Sequence, residues 1–274
     1  MKSCCHTAFY LNYPLEEVLS RLSDLAYNGV EISALSECGT YSPTLLHKER
    51  SKEVREKARE LDVEIAGYDC ELLPSMGRNV VSFSEEIRRK TTEYMKSAIM
   101  TAKELETKFV VINAGMAMYG VDKKRAWSWA VESLKECTRY AEGHNIYLAL
   151  EHLTPLEGNV VVTLDDLLSI LKEVNSENLV ALLDTGHVNV NGESITDYVI
   201  ELGEKLKHIH IDDNDGRSDD HLPPGSGTIN FDTLFNTLNK ANYEGYLSIE
   251  PSFAYSADPD NAASQGMKFF QRYF

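Results

Sequence analysis

The chain has 274 residues, 43% of them hydrophobic, and carries 27 Lys and Arg against 43 Asp and Glu, a formal net charge of −16. The length fits one eight-unit β/α barrel, for which about 250 residues is typical. The acidity excludes a general nucleic-acid binder, which needs a basic face, and no run approaches the roughly 18 apolar residues of a membrane span.

The five cysteines, Cys4, Cys5, Cys38, Cys70 and Cys137, are scattered and include no CxxC pair, which points to a reducing compartment. The opening MKSCCHTAFYLNYP lacks a basic start, an apolar run and a small-residue cleavage site, so it does not read as a signal peptide. The expected location is the cytoplasm.

A strand-then-helix alternation repeats eight times. The first four strand candidates are Cys4 to Tyr10, Gly29 to Ala34, Val63 to Asp69 and Phe109 to Ala114. Four more short runs follow: IYLALE ending at Glu151, LVALLD ending at Asp184, LKHIHI carrying His210, and GYLSIE ending at Glu250. Each is Leu-rich or β-branched, as buried parallel strands are. Pro14 to Tyr27 places Leu15, Val18, Leu19, Leu22, Leu25 and Ala26 at helical spacing, a face that packs on a sheet. Ser84 to Leu105, with a Ser-x-x-Glu-type start at Ser84, continues that style. So do Asp122 to Gly143, Thr163 to Val174, Phe231 to Ala241 and Asp258 to Phe274. Thr163 and Asn230 stand where helix N-caps belong. No spacer divides the chain, so residues 1–274 are expected to form a single (β/α)8 TIM barrel, an α/β fold. An open doubly wound sheet is the alternative, but no GxGxxG follows the first strand.

Four polar residues therefore close four strands. A carboxylate at a strand end is often a solvated surface group. In a barrel, however, such ends converge on one mouth, and Glu151, Asp184, His210 and Glu250 together predict a metal site. Three carboxylates and one imidazole suit Mn²⁺ or Mg²⁺ best, with Co²⁺ or Zn²⁺ also accommodated. His187, three residues after Asp184, is expected at the same mouth. His208 shares the face of His210 one layer deeper and reads as a hydrogen-bonded core histidine, while Asp212 and Asp213 are placed to orient ligands. The Gly-rich HLPPGSGTINF loop, His221 to Phe231, reads as a turn in preference to a phosphate cradle. No lysine ends a strand in the second half, which argues against Schiff-base aldolase chemistry.

These residues resemble the xylose-isomerase-like superfamily of divalent-metal barrels, which holds sugar isomerases, ketose epimerases and the apurinic endonuclease IV group. The resemblance runs from GVEIS at Gly29 to SIEPSF at Phe253. Within it, LALEHLTPLEGNVV and LKHIHIDDNDGRSDDHLPPGSG are most similar to ketose 3-epimerases of the tagatose/psicose and fructoselysine type. The resemblance implies one divalent ion, Mn²⁺ first, on Glu151, Asp184, His210 and Glu250. It implies substrate contacts from Glu157 and His187. It makes Arg217 a substrate-binding candidate whose spacing from His210 is offset from the family pattern. The endonuclease branch has an Asp-x-His that binds a further metal, and Asp219 and His221 fit it. That branch also needs histidines on the third and fourth strands, which here end in AGYDC and INAG.

The expected activity is a metal-dependent sugar epimerase. Glu151 and Glu250 would remove and return a proton at C3 of a ketose or ketosamine through an enediolate. Aldose–ketose isomerisation or keto-polyol dehydration on the same site, an endonuclease, and a non-catalytic sugar-binding relative are the alternatives. The expected partner is a small-molecule sugar, with no nucleic acid and no membrane; a homo-oligomer is compatible with the sequence. His6, Glu31, Tyr68 and Glu71 are candidates for the pocket wall that no motif places.

Overall fold

Eight short strands hydrogen-bond in sequence order into a closed, all-parallel barrel. They are β1 (Lys2–His6), β2 (Gly29–Ser33), β3 (Glu64–Asp69), β4 (Phe109–Asn113), β5 (Tyr147–Glu151), β6 (Leu179–Asp184), β7 (Leu206–Ile211) and β8 (Tyr246–Ile249). The computed structural model describes residues 1–46 and 48–274. Helices cover the barrel: α1 (Leu15–Asp24), a distorted turn α2 (Ser36–Gly39), α3 (Lys48–Glu60), α4 (Glu85–Leu105) and α5 (Lys123–Glu142). They continue with α6 (Leu164–Val174), α7 (Thr185–Val190), α8 (Ile195–Leu202), α9 (Phe231–Lys240) and α10 (Pro259–Phe270).

The period of two along each strand divides the core. On β5, Leu148 and Leu150 face the helices and join the large outer core, while Tyr147, Ala149 and Glu151 face the barrel axis. Val111, Ala149, Val180 and Leu182 fill the axis together with Phe109 and Tyr147. Asp184 lies two residues beyond Leu182, one layer nearer the carboxyl end. The same alternation turns Ile209 and Ile211 outward on β7 and leaves His208 and His210 inside. The register then sets neighbours: Asp184 pairs with His210 across β6–β7, and His210 pairs with Ser248 across β7–β8.

The helix starts follow local chemistry. Thr163 and Asp166 form a reciprocal capping box on α6, and Asp122 and Asn230 accept amide hydrogens at the starts of α5 and α9. Ser84 caps α4 by accepting from the Ile87 amide. Because the third residue on is Ile87, the cap is one-sided and the Ser-x-x-Glu expectation is corrected. The first strand stops at His6, with Ala8–Tyr10 coiled into a 3-10 turn; the Thr7 amide still donates to the Glu31 carbonyl, 2.9 Å away. Helices α2, α3, α7 and α8 lie outside the expected set. Helix α3 buries only Ser51, Val54 and Ala58, too thin an apolar stripe for periodicity to announce.

Candidate active site

Glu151 ends β5, Asp184 ends β6 and His210 lies on β7. Glu250 follows β8 directly, its amide still donating to the Ile211 carbonyl at 3.2 Å. Pro251 cannot extend that ladder. The four side chains meet at the carboxyl-end mouth. His210 Nδ1 lies 2.8 Å from Glu250 Oε2, 3.1 Å from Glu151 Oε1 and 3.9 Å from Asp184 Oδ2. One donor atom from each of the four falls within 4.8 Å of the others. Asp184 is fully buried; its Oδ1 accepts from the His187 amide at 2.7 Å, capping α7. Its Oδ2 has no hydrogen-bond partner.

Three carboxylates around one imidazole nitrogen repel one another unless a positive charge stands among them. Burial and neighbouring charge shift the protonation of these groups. Burial would lower the His210 pKa, but Glu250 and Glu31 outweigh it and hold it well above the ordinary value. Glu151 is pushed up to about 7 by burial, which its contacts with His210 only partly offset. Glu250 is drawn down to about 2, because the charges of His210 and His6 outweigh its burial. An orphaned buried oxygen, an oxygen-rich donor set and a single imidazole together fit a hard or borderline divalent cation.

A second constellation stands beside the first. His187, on α7, is held by its Nδ1–H donating to the His152 carbonyl at 2.8 Å. Its Nε2 therefore faces Glu157 Oε2 and Asp219 Oδ2, each at 3.1 Å. Asp219 Oδ2 also lies 3.2 Å from His221 Nε2. Glu157, His187, Asp219 and His221 form a further group of convergent donors. Arg217 does not join them. It is exposed on the loop after β7, with its backbone tied to Asp215, and does not line the mouth cavity.

That cavity, about 260 Å³, is walled by Asp69, Glu71, Glu151, Glu157 and Glu250, by His187 and His221, and by apolar residues including Leu72, Leu73, Pro74 and Phe253. Among the described residues no Lys or Arg lines it. Asp69 is the acid that sequence reasoning missed. It lies 3.3 Å from His6 Nε2, and the other nitrogen of His6 is 3.9 Å from Glu250. Burial disfavours charge on His6, but Asp69 and Glu250 raise it to about 9. Burial together with the charge of Asp69 raises Glu71 to about 8. The signal for Asp69 was available: it closes β3 as Glu151 closes β5. Tyr68 is corrected: its side chain is buried against the helices, its hydroxyl donating to the Tyr41 carbonyl at 2.7 Å.

The loop after β7 settles the choice between turn and phosphate cradle. The buried Asp213 carboxylate accepts from the amides of Asn214, Gly225, Gly227 and Ile229 at 2.8–3.1 Å. The nest is filled by the chain's own anion. A Cβ on Gly227 would strike that carboxylate and the Asn214 carbonyl. Asp212 accepts from the Gly186 amide at 2.7 Å and from Thr185 Oγ1 at 3.1 Å, and a Cβ on Gly186 would collide with it. It therefore braces the start of α7, which carries His187. His208 is a buried, hydrogen-bonded core histidine, its Nε2 donating to Glu31 at 2.8 Å.

This fold and mouth define a sugar-isomerase type of barrel. The model of the xylose isomerase-like TIM barrel matches residues 19–273, and the chain belongs to that family. It is 32% identical over 271 residues to fructoselysine 3-epimerase of Shigella flexneri, a match spanning 99% of this chain and 97% of that protein. It is 25% identical over 244 residues to D-psicose 3-epimerase of Enterocloster bolteae, spanning 86% and 76% respectively. The crystal structure of a D-tagatose 3-epimerase-like protein superposes with a TM-score of 0.84 at 26% identity, covering 100% of this chain and 97% of that one. With epimerase relatives matching over nearly the full chain, the protein is an enzyme of the isomerase class. No helix among the described residues is long and apolar enough to cross a membrane.

Proposed function

We propose that this enzyme epimerises C3 of a ketose or ketosamine, using one divalent cation held by Glu151, Asp184, His210 and Glu250. The observation that carries this reading is the pair of glutamates from β5 and β8. Both reach the same imidazole nitrogen, His210 Nδ1, at 3.1 and 2.8 Å, and both line the cavity that would hold the sugar. A bound cation, with Mn²⁺ our first expectation, supplies charge stabilisation for the oxygens next to that carbon. Glu250 and Glu151 do the proton work. One removes the C3 proton from its face of the sugar, and the other supplies a proton to the opposite face. Asp184 and His210 hold the centre. Glu157, with His187 beside it at 3.1 Å, orients substrate hydroxyls.

The wall chemistry narrows the substrate. Among the described residues, five carboxylates and no Lys or Arg line the cavity, and the glycine-rich amide nest after β7 is closed by Asp213. A sugar phosphate finds no Lys or Arg there, and the two wall histidines are already engaged by Asp219, whereas a neutral ketose or an amine-bearing ketosamine does not need a cationic partner. The relative named fructoselysine 3-epimerase supports the ketosamine side of this reading. The test is a panel of free ketoses and ketosamines incubated with enzyme and Mn²⁺ in D₂O. NMR should show deuterium entering at C3 together with the 3-epimer. Deuterium confined to C1, or a product lacking water, would replace epimerisation with isomerisation or dehydration.

A further inference from the structure

Glu31 is the least expected charge in the molecule. It lies on β2, inside the barrel and beneath the mouth, with no exposed surface. Elsewhere the barrel axis is filled by apolar side chains, among them Val111, Ala149, Val180 and Leu182. Burying a carboxylate there costs several kcal/mol unless it is paired, and filling the layer with another aliphatic side chain would have avoided that cost. Its partners are two histidines on one face of β7. Glu31 Oε2 lies 2.8 Å from His208 Nε2, and both Glu31 oxygens lie 3.2 Å from His210 Nε2.

An ionised carboxylate only accepts hydrogen bonds. Glu31 sets an oxygen 2.8 Å from His208 Nε2 and both oxygens 3.2 Å from His210 Nε2, so both Nε2 atoms face an acceptor. A neutral imidazole has one N–H. If that N–H is on Nε2 of His210, the Nδ1 lone pair is left pointing at the group formed with Glu151, Asp184 and Glu250. We propose that Glu31 is a positioning residue: it fixes the Nε2–H tautomer and ring orientation of His210, so that Nδ1 is presented to the cation. His208 holds the far side of the same carboxylate and keeps it from turning away. This inference rests on the four-donor cation reading given above.

Two measurements decide it, neither requiring turnover. The first uses the parent protein with ¹⁵N-labelled histidine and diamagnetic Zn²⁺. The expected result is a slowly exchanging proton on His210 Nε2; a proton on Nδ1 would overturn the proposal. The second titrates Co²⁺ into the parent and into Glu31→Gln, following the cobalt absorption bands well below either protein's melting temperature. Losing an outer carboxylate partner should weaken Co²⁺ binding by about 10–100-fold and shift the bands. A purely structural role would lower the melting temperature alone, leaving the dissociation constant within about threefold and the bands unchanged, and that result also overturns the proposal. Should Glu31→Gln fail to fold, the tautomer in the parent still decides. Failure of the cation reading looks different: the parent itself would bind no Co²⁺ or Zn²⁺.

Discussion

Glu250→Gln separates proton transfer from cation binding more cleanly than other changes at the mouth. The substitution keeps the size of the side chain and one oxygen, but removes the basic carboxylate 2.8 Å from His210 Nδ1. Three of the four donors, Glu151, Asp184 and His210, stay in place. The cation should therefore bind more weakly by at least the roughly 10–100-fold that loss of a ligand-orienting group costs, and excess Mn²⁺ should restore occupancy. Proton transfer has no such remedy. General acid–base catalysis contributes about 10²–10⁴-fold, so kcat at saturating Mn²⁺ should fall by that factor. At about 1.36 kcal/mol per tenfold, this corresponds to roughly 2.7–5.4 kcal/mol of barrier. The assay is C3 deuterium exchange and epimer formation by NMR, run across a Mn²⁺ titration, with bound metal measured on the same samples. A metal-saturated Glu250→Gln enzyme within about tenfold of the parent would refute the assignment of Glu250 to proton transfer.

His187→Ala should raise KM while leaving metal content near that of the parent. The Asp184 cap comes from the His187 amide and not its ring, and the ring faces Glu157 and Asp219; a metal-free variant would make His187 a ligand and reopen the multi-metal reading. Asp213→Ala strips the acceptor from four loop amides. It should cost about 2–4 kcal/mol after partial rehydration, since hydrogen bonds to charged groups are worth about 1.5–3 kcal/mol each. The thermal midpoint should fall by about 2–4 °C per kcal/mol, as for domains of roughly 150–250 residues, and an unchanged melting curve would remove the structural role given to that carboxylate. A ketose phosphate should bind no more tightly than its free sugar, because among the described residues no Lys or Arg lines the cavity and its two histidines are engaged by Asp219; competitive inhibition at lower concentration than the free sugar would contradict this. Cation affinity should fall as pH falls. His210 has its pKa raised by Glu250 and Glu31, so below that raised pKa the cation must displace a proton, and the binding isotherm shifts to higher metal concentration. A pH-independent dissociation constant between pH 6 and 8 would exclude His210 as a ligand.

Much of this protein is decided by local pattern. The barrel was legible because each unit carries its own signal: a short apolar strand, then a helix with one apolar face and an N-cap such as Thr163 or Asn230. The grouping of Glu151, Asp184, His210 and Glu250 was legible for a geometric reason: parallel strands point their carboxyl ends the same way, so a polar residue closing each strand has only one mouth to enter. Residues outside that rule were not legible. Arg217 looked suited to the substrate by its position in the loop after β7, but the loop turns back on Asp213, and Arg217 is left exposed on it. In the first half of the site, Asp69 obeys the strand-end rule by closing β3, but which residues it and its neighbours meet depended on registers that no motif encodes. Asp69 meets His6 from a strand two places away, and Tyr68, its immediate neighbour, faces the helices. Glu31 lies 177 residues before His208, and nothing nearby in sequence marks it as the partner of two histidines. Alternation along a strand states which face a side chain takes. Only closure of the barrel, with its strand-to-strand stagger, decides which side chains from distant strands meet across the axis.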